Sequence, residues 1–196
     1  MNSAVAFRAL AILTFLAPIS IRAEPLEYHE SQMALKGVVT FGNDKVEKIH
    51  VNGSAFLDGT HVSKVVKVEG NLEAFEADIH TLKMHGTGHL KKSSVQLRAR
   101  VNGDLKAEDT VFKDGITATS GHLVLSHVIS GPVEFKHGTE EGKERKLTLT
   151  NGTMINGPVV FDNGPGEIFK DSTSKITGEI VGKYTMHEIK SVAGSQ

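Results

Sequence analysis

Along most of this chain, apolar and polar residues alternate at period two on either side of a recurring glycine. Gly37, Gly53, Gly70, Gly86, Gly103, Gly121 and Gly138 follow one another at intervals of 16, 17, 16, 17, 18 and 17 residues. Two places before the glycine stand Leu35, Val51, Val68, Met84 and Val101, and two places after it Ala55, Leu72, Gly88, Leu105 and Leu123. Four places after it come Leu57, Ala74, Leu90, Ala107 and Leu125. This alternation predicts short strands that show one face to a core, broken by a bend that a residue without Cβ tolerates. A further apolar position falls seven to nine residues past the glycine, at Val62, Ile79, Val95, Val111 and Val128. The next strand then begins, at Ile49, Val66 or Leu82.

Three short apolar segments in roughly 17 residues are too brief for a helix pair or a propeller blade, which need about 20 to 50 residues per repeat. They fit one turn of an all-β, single-stranded parallel β-helix, a solenoid whose coils stack at about 4.8 Å and bring equivalent side chains into columns. The competing architecture is an antiparallel sandwich or barrel of hairpins. Hairpin strands seldom keep one spacing and one residue pattern through six consecutive steps, so the solenoid is preferred. The predicted β-helix domain spans 37–182, with a charged loop at 138–146 that contains Glu140, Glu141, Lys143, Glu144, Arg145 and Lys146. A second motif brackets the loop: Gly131-Pro132-Val133-Glu134-Phe135 returns as Gly157-Pro158-Val159-Val160-Phe161, which predicts a coil continued with its bend shifted. Ile168, Ile176 and Ile180 supply one more turn or a cap, and 183–196 is a C-terminal tail frayed from Ser191 to Gln196.

The first 23 residues read differently. Arg8 precedes an apolar run from Ala9 to Ile21, and Ile21-Arg22-Ala23 ends in a small residue, the pattern of a secretory signal peptide cleaved after Ala23. The run contains Thr14, Pro18 and Ser20 and falls short of the about 20 residues a membrane-spanning helix needs. Export to the periplasm, the extracellular space or the cell surface is expected, with residues 24–36 as a lead-in cap. Loss of the leader moves the formal charge only from −1 to −3, because Arg8 and Arg22 leave with it. That balance gives no case for nucleic acid. Cysteine is absent, so disulfides, thiol nucleophiles and thiolate metal sites are excluded.

Candidate chemistry is sparse. His85 and His89, four apart on a strand, are the best local metal pair, yet zinc needs further ligands that no neighbouring position supplies. Glu69, Glu73, Asp78, Asp104 and Glu108 fall on outward positions, and no two sit in environments that would split their pKa values for acid and base work. Ser120-Gly121-His122 lacks the strand-turn-helix setting of an activated serine. No catalytic residue, cofactor or metal is predicted. One surface feature stands out: three residues before the glycine, consecutive coils carry His50, Lys67, Lys83 and Arg100, and five before it stand Lys48 and Arg98. Stacked like charges about 5 Å apart repel by about 1 kcal/mol per pair in water, so the row is a candidate stripe for an anionic polymer such as an acidic polysaccharide. Glu47 and Glu69 offer partial neutralisation, which is the plain alternative of a solvated face. Asn52-Gly53-Ser54 and Asn151-Gly152-Thr153 match the glycan acceptor rule, but both coincide with bends that turn chemistry explains.

The stretches Val68-Glu69-Gly70-Asn71-Leu72-Glu73-Ala74 and Val101-Asn102-Gly103-Asp104-Leu105-Lys106-Ala107-Glu108 resemble the coil signature of the bactofilins, a bacterial polymer-forming cytoskeletal family. The resemblance covers roughly Gly37 to Gly138. It implies a right-handed β-helix that joins end to end into filaments without a nucleotide, and it carries no catalytic residue across. Members of that family are typically cytoplasmic, whereas this chain carries a leader. The functional expectation is a non-enzymatic exported solenoid with a structural or surface-binding role and possible self-association. The alternative is a protein that binds or acts on anionic glycans.

Overall fold

A computed structural model of the chain describes residues 35–136 and 144–190. The expected leader at 1–23, Gly138 and the tail from Ser191 lie outside the described residues. Every strand pair among the described residues is parallel. The chain is a β-solenoid of about 9 turns whose coils lie about 17 residues apart, and the antiparallel alternative is excluded. Each coil carries up to three strand segments joined at three corners.

The interior is built from columns one coil spacing apart. Ile49, Val66, Leu82, Ala99, Ile116 and Val133 form one column, and Val51, Val68, Met84, Val101, Ala118 and Phe135 a second. All are buried. Each fully buried Val, Leu or Ile contributes about 1.5 to 3 kcal/mol of transfer free energy. The repeated Gly-Pro motif is in register, with Val133 beside Val159 and Phe135 beside Phe161, and the two phenylalanine rings stack at 4.9 Å. Gly88 leaves its place in the column after the glycine bend to the Met84 side chain, which a Cβ there would strike.

The glycine bend is a true ladder from Gly37 to Gly103. From Gly53 through Gly121, φ lies between +97° and +138°, and a Cβ would run into the carbonyl oxygen of the glycine one coil earlier. The seventh place in the ladder belongs to Arg145, which pairs with Gly121, and not to Gly138. The expected charged loop at 138–146 is correspondingly shorter, because Arg145 and Lys146 open the strand Arg145–Thr150.

Two further assignments are corrected. Val62, Ile79 and Val95 share an interior column as expected, but Phe112 continues it in place of Val111, and Ser130 follows in place of Val128. The offset from the glycine is nine residues on all five coils. Apolarity favoured Val111, which is only partly buried, and Val128, which is buried at the preceding corner. The second is the boundary at 182: Ile168, Ile176 and Ile180 do belong to a further turn, and its last strand, Ile180–Glu188, pairs with Val159–Lys170 and runs into the expected tail.

The corner that opens each coil has two devices. Gly59, Glu76, Lys92, Asp109 and His127 adopt left-handed φ of 65°, 49°, 49°, 48° and 53°, and four of the five carry a Cβ. That conformation costs roughly 1 to 2 kcal/mol for each non-glycine residue. The position directly after it is buried and is filled by a hydroxyl in Thr60, Ser93 and Thr110 and by an apolar side chain in Ala77 and Val128; buried hydroxyls stand at the later corners in Thr153 and Ser174. Thr60 donates to the Gly42 carbonyl at 2.7 Å, Ser93 to Lys91 at 2.9 Å, Thr110 to Glu108 at 2.7 Å and Thr153 to Thr150 at 2.8 Å. The Lys91, Glu108 and Thr150 carbonyls also accept an amide of the preceding coil, so each hydroxyl bond there uses the second lone pair and ties the corner to itself.

Candidate functional site: a cationic row beside a shallow groove

Side chains at alternate positions of the segment before the glycine bend point outward. The ladder therefore brings His50, Lys67, Lys83 and Arg100 into one outward row, each in register with the next. Thr117 and then Glu134 extend it, so the run of cations ends in a charge reversal. Lys67 is held by Glu69 at 2.7 Å. The hydrogen bond from Lys67, together with its charge, pushes the Glu69 pKa down. Lys83 and Arg100 are exposed and have no hydrogen-bond or ion-pair partner among the described residues.

Arg98 does not join the row. Its guanidinium reaches Glu134 Oε2 at 3.5 Å and donates to the Asp114 carbonyl at 3.2 Å. Nor do Lys48 and Arg98 form a second row, because Val65 takes the place beside Lys48 on the next coil.

Two residues further along each strand runs a parallel row of Asn52, Glu69, His85 and Asn102. Thr119 continues it, as its amide donates to the Val101 carbonyl. His85 Nδ1 and Asn102 Nδ2 lie 3.0 Å apart. Between the two rows is a groove of about 410 Å³ that also touches Thr117 and Thr119. Thr119 Oγ1 is buried there with no hydrogen-bond partner. Sequence reasoning found the cations and missed the polar wall opposite. The fixed offset from the glycine was the available signal, since it places His85 and Asn102 at the same step.

The remaining candidates are engaged elsewhere. His89 lies beyond the bend from His85, with Nε2 3.8 Å from Glu108 Oε1. No group of three or more His, Cys, Asp or Glu is gathered for a metal among the described residues. At Asp78 burial opposes ionisation, but hydrogen bonds from Ser94 at 2.6 Å and Gln96 at 2.7 Å, with His61 at 3.0 Å, outweigh it and lower the pKa. Glu108 is pushed down by the hydrogen bond and charge of Lys106. Every resolved carboxyl shift among the described residues is downward.

Ser120 donates to Asn102 Oδ1 at 2.9 Å, and His122 Nε2 contacts Thr148 Oγ1 at 2.7 Å, so the two make no nucleophile and base pair. Burial lowers the His122 pKa and keeps the ring neutral at neutral pH. A second hollow of about 470 Å³ lies here. Its single lysine is already taken, with Lys146 2.7 Å from Glu144 and 3.8 Å from Glu167.

Comparison with protein-family models, with curated proteins and with solved structures finds no match to this chain. The structure defines its class as a parallel β-solenoid.

Proposed function

We propose that this chain is an exported, non-enzymatic solenoid that serves as a scaffold and associates end to end. The observation that carries this reading is the C-terminal rung. Among the described residues, Ile180–Glu188 pairs on one side only, and Val181, Tyr184 and Met186 are 46%, 41% and 45% exposed. An unpaired strand edge is a template for another chain. At the other end of the described residues, Leu35–Phe41 pairs among them only with the following coil, and Val38 is 74% exposed. Continuing the glycine ladder from Tyr184 onto Gly37 of a second copy would set Met186 beside Val39 in the interior. A heterologous contact of this kind does not close, so it generates a filament. Export rests on the leader pattern of residues 1–23.

Light scattering on the full chain tests the reading. The mean mass should rise with protein concentration, and Val181→Lys with Met186→Lys should return it to the monomer without changing the circular dichroism. A single monomeric mass at every concentration overturns it. The cationic row favours a second reading, in which the exposed face of the solenoid binds an anionic glycan.

A further inference from the structure

We infer that the groove between the two rows is a binding site for a linear uronate-type polysaccharide lying along the solenoid axis, with Lys83 and Arg100 as its principal contacts. This rests on the second reading above and names its ligand and place. The two walls differ in chemistry. One carries unpaired cations at Lys83 and Arg100, and the other carries hydrogen-bonding groups at His85, Asn102 and Thr119, with the Glu69 carboxylate, paired to Lys67, at its end. A chain of acidic sugars has the complementary division, with a carboxylate on each ring and hydroxyls beside it.

Spacing favours the same ligand. The cations repeat once per coil, about every 4.8 Å. A linked pyranose chain advances by a similar amount per ring, so its rings keep step with the coils and same-side carboxylates fall on whole numbers of coil spacings. An extended acidic peptide presents same-side carboxylates only every second residue, about 6.8 Å, and falls out of step. A single-stranded nucleic acid would look for broad aromatic platforms, and the groove is lined by no Phe, Tyr or Trp. The row also sets a length. From His50 to Thr117 is four coil spacings, about 19 Å, before Glu134 reverses the charge. Lys67 is already held by Glu69, which leaves the centre of the groove to Lys83 and Arg100.

Titration calorimetry of the full chain with hexagalacturonate, maltohexaose, polyglutamate and oligothymidylate provides the test. Hexagalacturonate should bind and weaken with added salt, and maltohexaose should not bind. Lys83→Gln with Arg100→Gln should weaken binding at least tenfold, Thr119→Val about threefold, and Lys113→Gln, an exposed cation outside the groove, not at all. Binding that is indifferent to the double substitution places the polymer elsewhere and overturns the site while leaving glycan binding intact. Equal affinity for polyglutamate or oligothymidylate overturns the ligand class. No binding of any acidic polymer overturns both the site and the glycan reading.

Discussion

Replacing Gly70 by alanine tests the stacking directly, because the same substitution at Gly37 supplies an internal control. Gly70 has φ +136° and Gly37 φ +92°, so both positions strain an L-residue by about 1 to 3 kcal/mol. The surroundings differ. A Cβ on Gly70 would overlap the carbonyl oxygen of Gly53, whereas one on Gly37 meets nothing within 4 Å. The Gly53 carbonyl belongs to the ladder between coils, so relief requires parting two stacked backbones beside the buried Val68 and Leu72. Adding that clash to the strain brings Gly70→Ala to about 3 to 5 kcal/mol, among the larger effects of a single substitution. For a chain of this size each kcal/mol lowers the midpoint by about 2 to 4 °C. Thermal and urea unfolding followed by circular dichroism should place Gly70→Ala about 6 °C or more below the wild type, and Gly37→Ala much closer to it. If the two variants are equally stable, or Gly70→Ala costs less than about 1 kcal/mol, the glycines are not superposed and the coil register is wrong.

Ser130 occupies an interior column between Phe112 and Ile155, and its hydroxyl has no partner. An orphaned buried hydroxyl costs about 1 to 3 kcal/mol, so Ser130→Ala should stabilise the protein by about 1 kcal/mol in urea titration, and a loss of that size would refute the orphan. Asp171 is the buried keystone of the last corner. Burial opposes its charge, but it accepts from the Ser174 and Asn151 amides at 2.8 Å and from Thr173 at 2.9 Å, which lowers its pKa to about 2. Because the folded pKa lies below the unfolded value of about 3.9, its contribution is present above that value and is lost as pH falls toward 2. Unfolding free energy measured from pH 6 to pH 2 should fall less steeply at the acid end in Asp171→Asn, and parallel curves would refute the assignment.

The solenoid was legible because one requirement recurs at one place: a backbone too close to its neighbour for a Cβ. That leaves Gly53, Gly70, Gly86 and Gly103 as a signature no hairpin would imitate. Devices that many residue types can satisfy were not legible. Glu76, Lys92, Asp109 and His127 bend the chain left-handedly with no glycine to announce it. The hydroxyl corner hid in the same way, although Thr60, Ser93 and Thr110 each stand two residues before a buried interior side chain. At the candidate site the row from His50 to Arg100 followed from the period alone. The loss of Arg98 to Glu134 did not, since the partners are 36 residues apart and meet across more than one coil.

The register between Phe135 and Arg145 has a practical consequence. Phe135 lies over Ala118 and Arg145 over Gly121, so positions ten residues apart in sequence stand over positions three apart on the preceding coil, and the pairings on either side keep one register. The registers on the two flanks do not depend on the length of chain between them, which makes this a place to graft sequence. An epitope, a fluorophore or a proteolytic site introduced there would reset none of the pairings that flank it.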